Sequence, residues 1–249
     1  MAKVNGIVKI EGTVEDLNFY KKEGVNYVRK KGGISKERIN NDPNFIRTRE
    51  NNSEFAHNCS SGKLLRMALG SLVFKAKDSK LSSRLMQTMS MIKNLDTVSS
   101  RGKRRVSIGL ESAEGKQVLK GFDFNANASL NSVLFAPYAL DTETGVTRIA
   151  NLITKEQLLF PQGATHATFQ SAVLALDFET EESELALSNV VTQPISLSPS
   201  TVTLTPTAVP TGTGVQLFLL MVSFSQQING QSYSLKNEEY NVLHILEVI

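Results

Sequence analysis

The sequence predicts a mixed α+β protein of two parts, an N-terminal β-hairpin followed by helices and a C-terminal antiparallel β-sandwich of immunoglobulin-like or jelly-roll-like type. Three observations predict it. Between residues 81 and 95 apolar side chains recur at helical spacing. Beyond residue 125 short runs rich in β-branched residues alternate with Pro and Gly. The charge also reverses along the chain: residues 1–110 carry 22 Lys plus Arg against 10 Asp plus Glu, a net of +12, and residues 111–249 carry 5 against 14, a net of −9. The expected organisation is a basic domain over 1–110, a connector over 111–124 and an acidic domain over 125–249.

The elements follow in order. Residues 4–10 place Val4, Val8 and Ile10 on one side of an extended segment and Ile7 on the other, which predicts a strand. Residues 17–21 and 25–29 hold Phe19, Tyr20 and Tyr27 on either side of Lys22, Glu23 and Gly24, which predicts a hairpin. Asp42 before Pro43 reads as an N-cap followed by Pro at the first helical position, where the missing N–H costs nothing. A helix is expected from Pro43 toward His57, interrupted by Ser60, Ser61 and Gly62. A second helix runs from about Lys63 through Leu64, Leu65, Ala68, Leu69, Leu72 and Val73. A third, after Asp78 and Ser79, aligns Leu81, Leu85, Met89, Ile92 and Leu95.

In the C-terminal half, residues 132–135, 167–176, 202–204 and 215–224 read as strands. Asn229 and Gly230 form a pair suited to a tight turn, so residues 216–227 and 232–248 are expected to form a hairpin. Residues 196–214, with Pro199, Pro206 and Pro210 among Thr and Ser, fit either strand or long loop.

With 249 residues, 41% of them hydrophobic, the chain is long enough to bury a core. No apolar run approaches the ~20 residues that cross a bilayer, so no membrane-spanning segment is expected. The N-terminal residues mix Lys9, Glu11 and Glu15 into apolar positions, unlike a secretory signal. Cytoplasmic synthesis is expected, with a virion or extracellular destination after assembly or release. The single Cys59 excludes an internal disulfide and Cys-rich zinc modules.

Catalytic chemistry finds little support. Gly62 and Lys63 before an apolar run are reminiscent of a phosphate loop, but that motif needs a Gly five residues earlier, where His57 stands, and Ser or Thr after the Lys, where Leu64 stands. His57 and Cys59, two residues apart on a helix, point apart. His57, His166 and His244 form no metal-ligand grouping, and no cofactor, metal or small-molecule substrate is expected. Met86, Met89 and Met91 read as core packing.

The charged groups carry more information. Lys21, Lys22, Arg29, Lys30, Lys31, Lys36 and Arg38 surround the aromatic hairpin, and Arg101, Lys103, Arg104 and Arg105 form a second basic cluster. Glu179, Glu181, Glu182 and Glu184 form an acidic run. Opposite charges on separate bodies attract, so the basic part of one copy is expected to meet the acidic part of the next. Both chain ends, residues 3–10 and 241–249, are strand-like and suited to completing a neighbour's sheet or their own. The rival partner is nucleic acid, whose phosphates the basic residues would track while the aromatics stack on bases.

One resemblance bears on this. Gly12, Thr13 and Val14 with Phe19 and Tyr20, the run Val28, Arg29, Lys30, Lys31, Gly32 and Gly33, then Lys36, Glu37 and Arg38, Asp42 and Pro43, Arg47 to Asn51, and Gly62 to Arg66 resemble the N-terminal half of a family of uncharacterised two-part Bacteroidota proteins. The resemblance covers about residues 5–110 and implies a bacterial or mobile-element source, no catalytic residues and a structural or assembly role. The expected function is a non-enzymatic subunit that self-assembles head to tail into a filament, tail-like or virion-type structure. The alternative is a nucleic-acid-binding accessory protein of a bacterial mobile element.

Overall fold

In the computed structural model, which describes residues 2–3, 10–235 and 240–249, the chain divides into two units, Met1–Arg49 and Glu50–Ile249. The N-terminal unit is a four-stranded antiparallel sheet followed by a short helix. Strands β1 (Ala2–Lys3), β2 (Gly12–Val14), β3 (Leu17–Lys22) and β4 (Val25–Lys30) lie in the order β1-β4-β3-β2. The expected hairpin is β3–β4, with Lys22 opposite Val25 and Glu23 and Gly24 both at positive φ, as a two-residue turn demands. Most of the strand expected over residues 4–10 lies outside the described residues. Helix α1 (Lys36–Asn41) follows, capped by Ser35.

Asp42 caps a 3₁₀ turn over Pro43–Phe45 by accepting from the Asn44 N–H at 2.9 Å, and helix α2 (Ile46–Leu69) continues from it. The expected interruption at Ser60, Ser61 and Gly62 is absent. The Ser61 hydroxyl donates to the His57 carbonyl within the helix, and Gly62 faces the Leu85 side chain, where its missing side chain lets two helices approach. The buried stripe of α2 runs Glu54, Asn58, Ser61, Leu65, Leu69. Its first half is polar, which conceals one helix as two.

Beyond Gly70 come α3 (Ser71–Lys75) and α4 (Leu81–Lys93), whose Leu81, Leu85, Met89 and Ile92 are buried as the periodicity predicts, whereas Leu95 lies beyond the helix end and is half-buried. Helices α5 (Val106–Glu111), α6 (Ala113–Leu119) and α7 (Leu130–Val133) follow. Residues 132–135, expected as a strand, instead end α7, and Leu134 makes only an isolated bridge to Leu158. Strands β5 (Tyr138–Leu140) and β6 (Thr147–Leu152), helix α8 (Thr154–Gln157), then β7 (His166–Leu176), β8 (Ser183–Leu187), β9 (Val191–Pro194), β10 (Ser200–Leu204), β11 (Val215–Ile228), β12 (Gln231–Ser234) and β13 (Val242–Val248) complete the chain. The segment over residues 196–214 thus contains one strand and a loop.

Six strands form one antiparallel sheet in the order β12-β11-β7-β8, with β13 also on β11 and β9 also on β7; three form a second, β10-β6-β5. Asn229 and Gly230, both at positive φ, make the β11–β12 turn. The large sheet is buried on both faces. Leu217, Leu219 and Met221 of β11 and Ala172, Leu174 and Leu176 of β7 pack with the helices. The alternate residues Phe218, Leu220, Val222 and Phe224, with Phe169 and Val173, pack with Ile149, Leu152, Val202 and Leu204 of the small sheet. In β13 a bulge leaves Leu246 between the pairs Phe218–Glu247 and Leu219–Ile245, which brings Val248 to the helix-facing side with Leu243 and Ile245.

The helices over residues 50–119 therefore share a core with the C-terminal sheet. The charge reversal near residue 110 marks no boundary of the fold, because net charge records how the surface is solvated and not what the core joins. The C-terminal strand is paired within its own chain on both edges: β11 holds one, and the other meets residues 121–124, with Gly121 N–H to Ile245 C=O at 2.9 Å and Phe124 N–H to Leu243 C=O at 2.8 Å.

Candidate contact surfaces and the buried charge cluster

The first basic cluster lies on the N-terminal unit. Lys21, Lys22, Arg29, Lys30, Lys31, Lys36 and Arg38 are all exposed. Arg38 pairs with Asp42 one helical turn away at 3.2 Å, and the Arg29 guanidinium lies over the Tyr20 ring at 5.4 Å. Tyr20 and Tyr27 stack across the hairpin with centroids 5.7 Å apart. Val14, Leu17, Val25 and Ile34 are exposed, and between residues 10 and 49 nothing is buried.

The second basic cluster is mostly ion-paired within the chain, although Arg101, Lys103 and Arg105 stay exposed and only Arg104 is half-buried. Arg104 donates from Nε and Nη2 to the two oxygens of Glu54 at 2.8 and 2.7 Å, Lys93 donates to Glu54 Oε2 at 2.5 Å, and the Gly102 N–H donates to Oε1 at 2.8 Å. Glu54 and Lys93 are buried. The Arg104 fork, then Lys93 and Gly102, overcome the cost of burial and hold the Glu54 carboxyl down at about 2. Arg101 pairs with Glu50 at 3.2 Å and Arg105 with Glu179 at 3.3 Å. Lys103 makes no ion pair among the described residues.

Three further residues shape the loop that carries this cluster. Asp96, also buried, accepts from the N–H groups of Val98, Ser99 and Arg105 at 3.0, 2.8 and 2.9 Å. Burial alone would raise its carboxyl, but the Ser99 and Arg105 donors outweigh it and keep it below its ordinary value. Gly102 sits at φ +86°, with the Glu50 side chain where a Cβ would stand, so a larger residue there is strained twice over. His57 accepts from the Val106 N–H through Nε2 at 3.0 Å. Burial, then the Arg105 and Lys93 charges, push its imidazole below the ordinary range against an opposing pull from Glu179.

The acidic run is divided. Glu179 accepts from Arg105 and from the Ser107 hydroxyl, whereas Glu181, Glu182 and Glu184 are exposed and make no ion pair among the described residues. Cys59 is exposed on α2, and the residues reminiscent of a phosphate loop lie inside that helix. Of the other histidines, His166 Nδ1 meets the Thr165 hydroxyl at 2.9 Å, and His244 Nδ1 meets Asp123 Oδ1 at 2.7 Å, tying β13 to the segment beside it. Among the described residues no group of three or more His, Cys, Asp or Glu is placed to hold a metal ion, and no helix is long and apolar enough to cross a membrane.

Sequence reasoning missed Glu54, Lys93 and Asp96. The available signal was spacing: Glu54 stands on the same helical stripe as Asn58, Ser61 and Leu65 and is buried with them. Comparison of the chain with known protein families, curated proteins and solved structures finds no match.

Proposed function

We propose that the protein is a non-enzymatic structural subunit that self-assembles head to tail, the basic N-terminal unit of one copy meeting the acidic turn of the next. One observation carries the reading: no described residue between 10 and 49 is buried. A small sheet gains too little from its own contacts to offset the entropy of ordering it, and needs a covered hydrophobic face. Residues 1–49 carry 11 Lys plus Arg against 6 Asp plus Glu, and Glu181, Glu182 and Glu184 offer complementary charge on another copy. The contact joins two different surfaces and closes into a ring or continues as a filament, tail-like or virion-type structure, depending on the rotation between copies.

The second cluster drops out of this contact, because Arg101, Arg104 and Arg105 are engaged within the chain. With the proposal goes the finer fold class: two antiparallel sheets around one core fit an immunoglobulin-like or jelly-roll-like sandwich, an architecture used by coat subunits. A bacterial source, as the resemblance implies, and a virion or extracellular destination after cytoplasmic synthesis go with it as well. A second reading, binding of nucleic acid as an accessory protein of a mobile element, draws support from the Tyr20–Tyr27 stack among exposed cations.

Light scattering and electron microscopy of nucleic-acid-free protein test the two. Assembly is expected at low salt and loss of assembly at 1 M, where the Debye length falls from about 10 Å at 0.1 M to about 3 Å. A monodisperse monomer at high concentration and low salt that binds DNA or RNA tightly overturns the structural reading in favour of the second.

A further inference from the structure

Helix α2 and the loop over residues 99–105 line an open cleft of about 440 Å3. Its wall contains Ser53, His57, Ser100, Lys103 and Arg105, none of which the assembly contact requires. The carboxylates that build the loop are already engaged: Glu54 takes donors from Arg104, Lys93 and Gly102, and Asp96 takes three backbone N–H groups. What remains toward the cleft is a set of donors. The Ser53 and Ser100 hydroxyls and the Lys103 ammonium make no hydrogen bond among the described residues. His57 accepts at Nε2 from Val106, which places its proton on Nδ1 and makes the ring a neutral donor.

We propose that this cleft binds a tetrahedral oxyanion of the phosphate class, with Lys103 as its counter-charge and the Ser53 and Ser100 hydroxyls and His57 as hydrogen-bond donors. Lysine is a compact point charge suited to phosphate, and hydroxyls tolerate the range of oxygen directions a tetrahedral anion presents. The charge balance agrees: Lys93, Arg101, Lys103, Arg104 and Arg105 stand against Glu50, Glu54, Asp96 and Glu179, leaving one cation in excess. The two sources of such a group are a free phosphate and the phosphodiester of a nucleic acid.

The chain has three histidines, so imidazole resonances of the full-length protein are a direct probe. Titration with inorganic phosphate, and separately with a short single-stranded oligonucleotide, is followed against sodium chloride of matched ionic strength. The expected result is a saturable shift of His57 with at least one probe, His166 and His244 unmoved, and affinity reduced about tenfold in Lys103→Ala, the scale of one charged hydrogen bond. Lys103 is exposed, so the variant is expected to keep the parent's circular dichroism spectrum. Saturation by phosphate identifies a small-anion site; saturation by the oligonucleotide alone identifies a backbone contact. A His57 shift that chloride reproduces, that never saturates with either probe, or that persists unchanged in Lys103→Glu overturns the proposal.

Discussion

Replacing Leu85 by Ala, alone and together with Gly62→Ala, tests the helical layer where the structure departs from the expected break. Leu85 is fully buried on α4, and a Cβ on Gly62 of α2 would lie 3.4 Å from Leu85 Cγ and 3.6 Å from Cδ2. Leu85→Ala removes three carbon groups, about 2.4 kcal/mol of transfer free energy at ~0.8 per group. The cavity left between two helices raises the loss to about 3–5 kcal/mol. Gly62→Ala introduces an ordinary contact and a better helix former, so it is expected to be neutral or to stabilise by up to about 1 kcal/mol. In the double variant the new methyl fills part of the cavity, so the losses are non-additive by about 0.5 kcal/mol or more. Denaturant midpoints at unchanged slope measure all three. A cost above about 1 kcal/mol for Gly62→Ala, or below about 0.5 for Leu85→Ala, would refute a continuous α2 packed on α4.

Further predictions concern charge and close packing. Glu54→Ala leaves Lys93 buried without its partner and should cost about 3–5 kcal/mol by chemical denaturation. Because the Glu54 carboxyl is lowered from 4.5 to about 2, its stabilisation is complete above pH 4.5 and is lost as pH falls toward 2, so Glu54→Gln should flatten that part of a stability–pH curve. His57 is also lowered in the folded state, but as a base: the unfolded chain binds the proton first, so stability falls as pH drops below about 6.5, and His57→Gln should remove that inflection. A Cβ at Gly109 would lie 2.1 Å from the Ile92 carbonyl oxygen, so Gly109→Ala should force α5 off α4 and lower the melting temperature markedly, whereas no change would place the two helices further apart. Changing Lys21, Lys22, Lys30 and Lys31 together to Glu should abolish assembly or polyanion binding with the fold intact, and parental behaviour in both assays would remove the basic face from the contact.

Where local chemistry decides conformation, the sequence was legible. Asp42 and Pro43 start a helix because the cap and the ring constraint act over three residues. The β3–β4 and β11–β12 turns form where Glu23, Gly24, Asn229 and Gly230 accept positive φ. The stripe of Leu81, Leu85, Met89 and Ile92 is buried because a 3.6-residue period leaves it one apolar face. The run over β11 marks a strand, and its lack of alternation accompanies burial on both faces.

Tertiary structure decided what those elements join. Charge density divides the chain near residue 110, yet hydrophobic burial ties α2 through α6 to the sheet that follows, because a core is defined by which apolar faces meet and not by the charges left outside. The basic residues Arg101, Arg104 and Arg105 look alike in sequence to Lys21 or Lys30. Only the folding of their loop onto Glu50, Glu54 and Glu179, each at least 50 positions away in sequence, gives the first set acidic partners, while Lys21 and Lys30 face solvent without one among the described residues. Sequence by itself determines each element's propensity and each side chain's charge. Which charges are neutralised depends on contacts distant in sequence, and those exist only once the helices and sheet have packed.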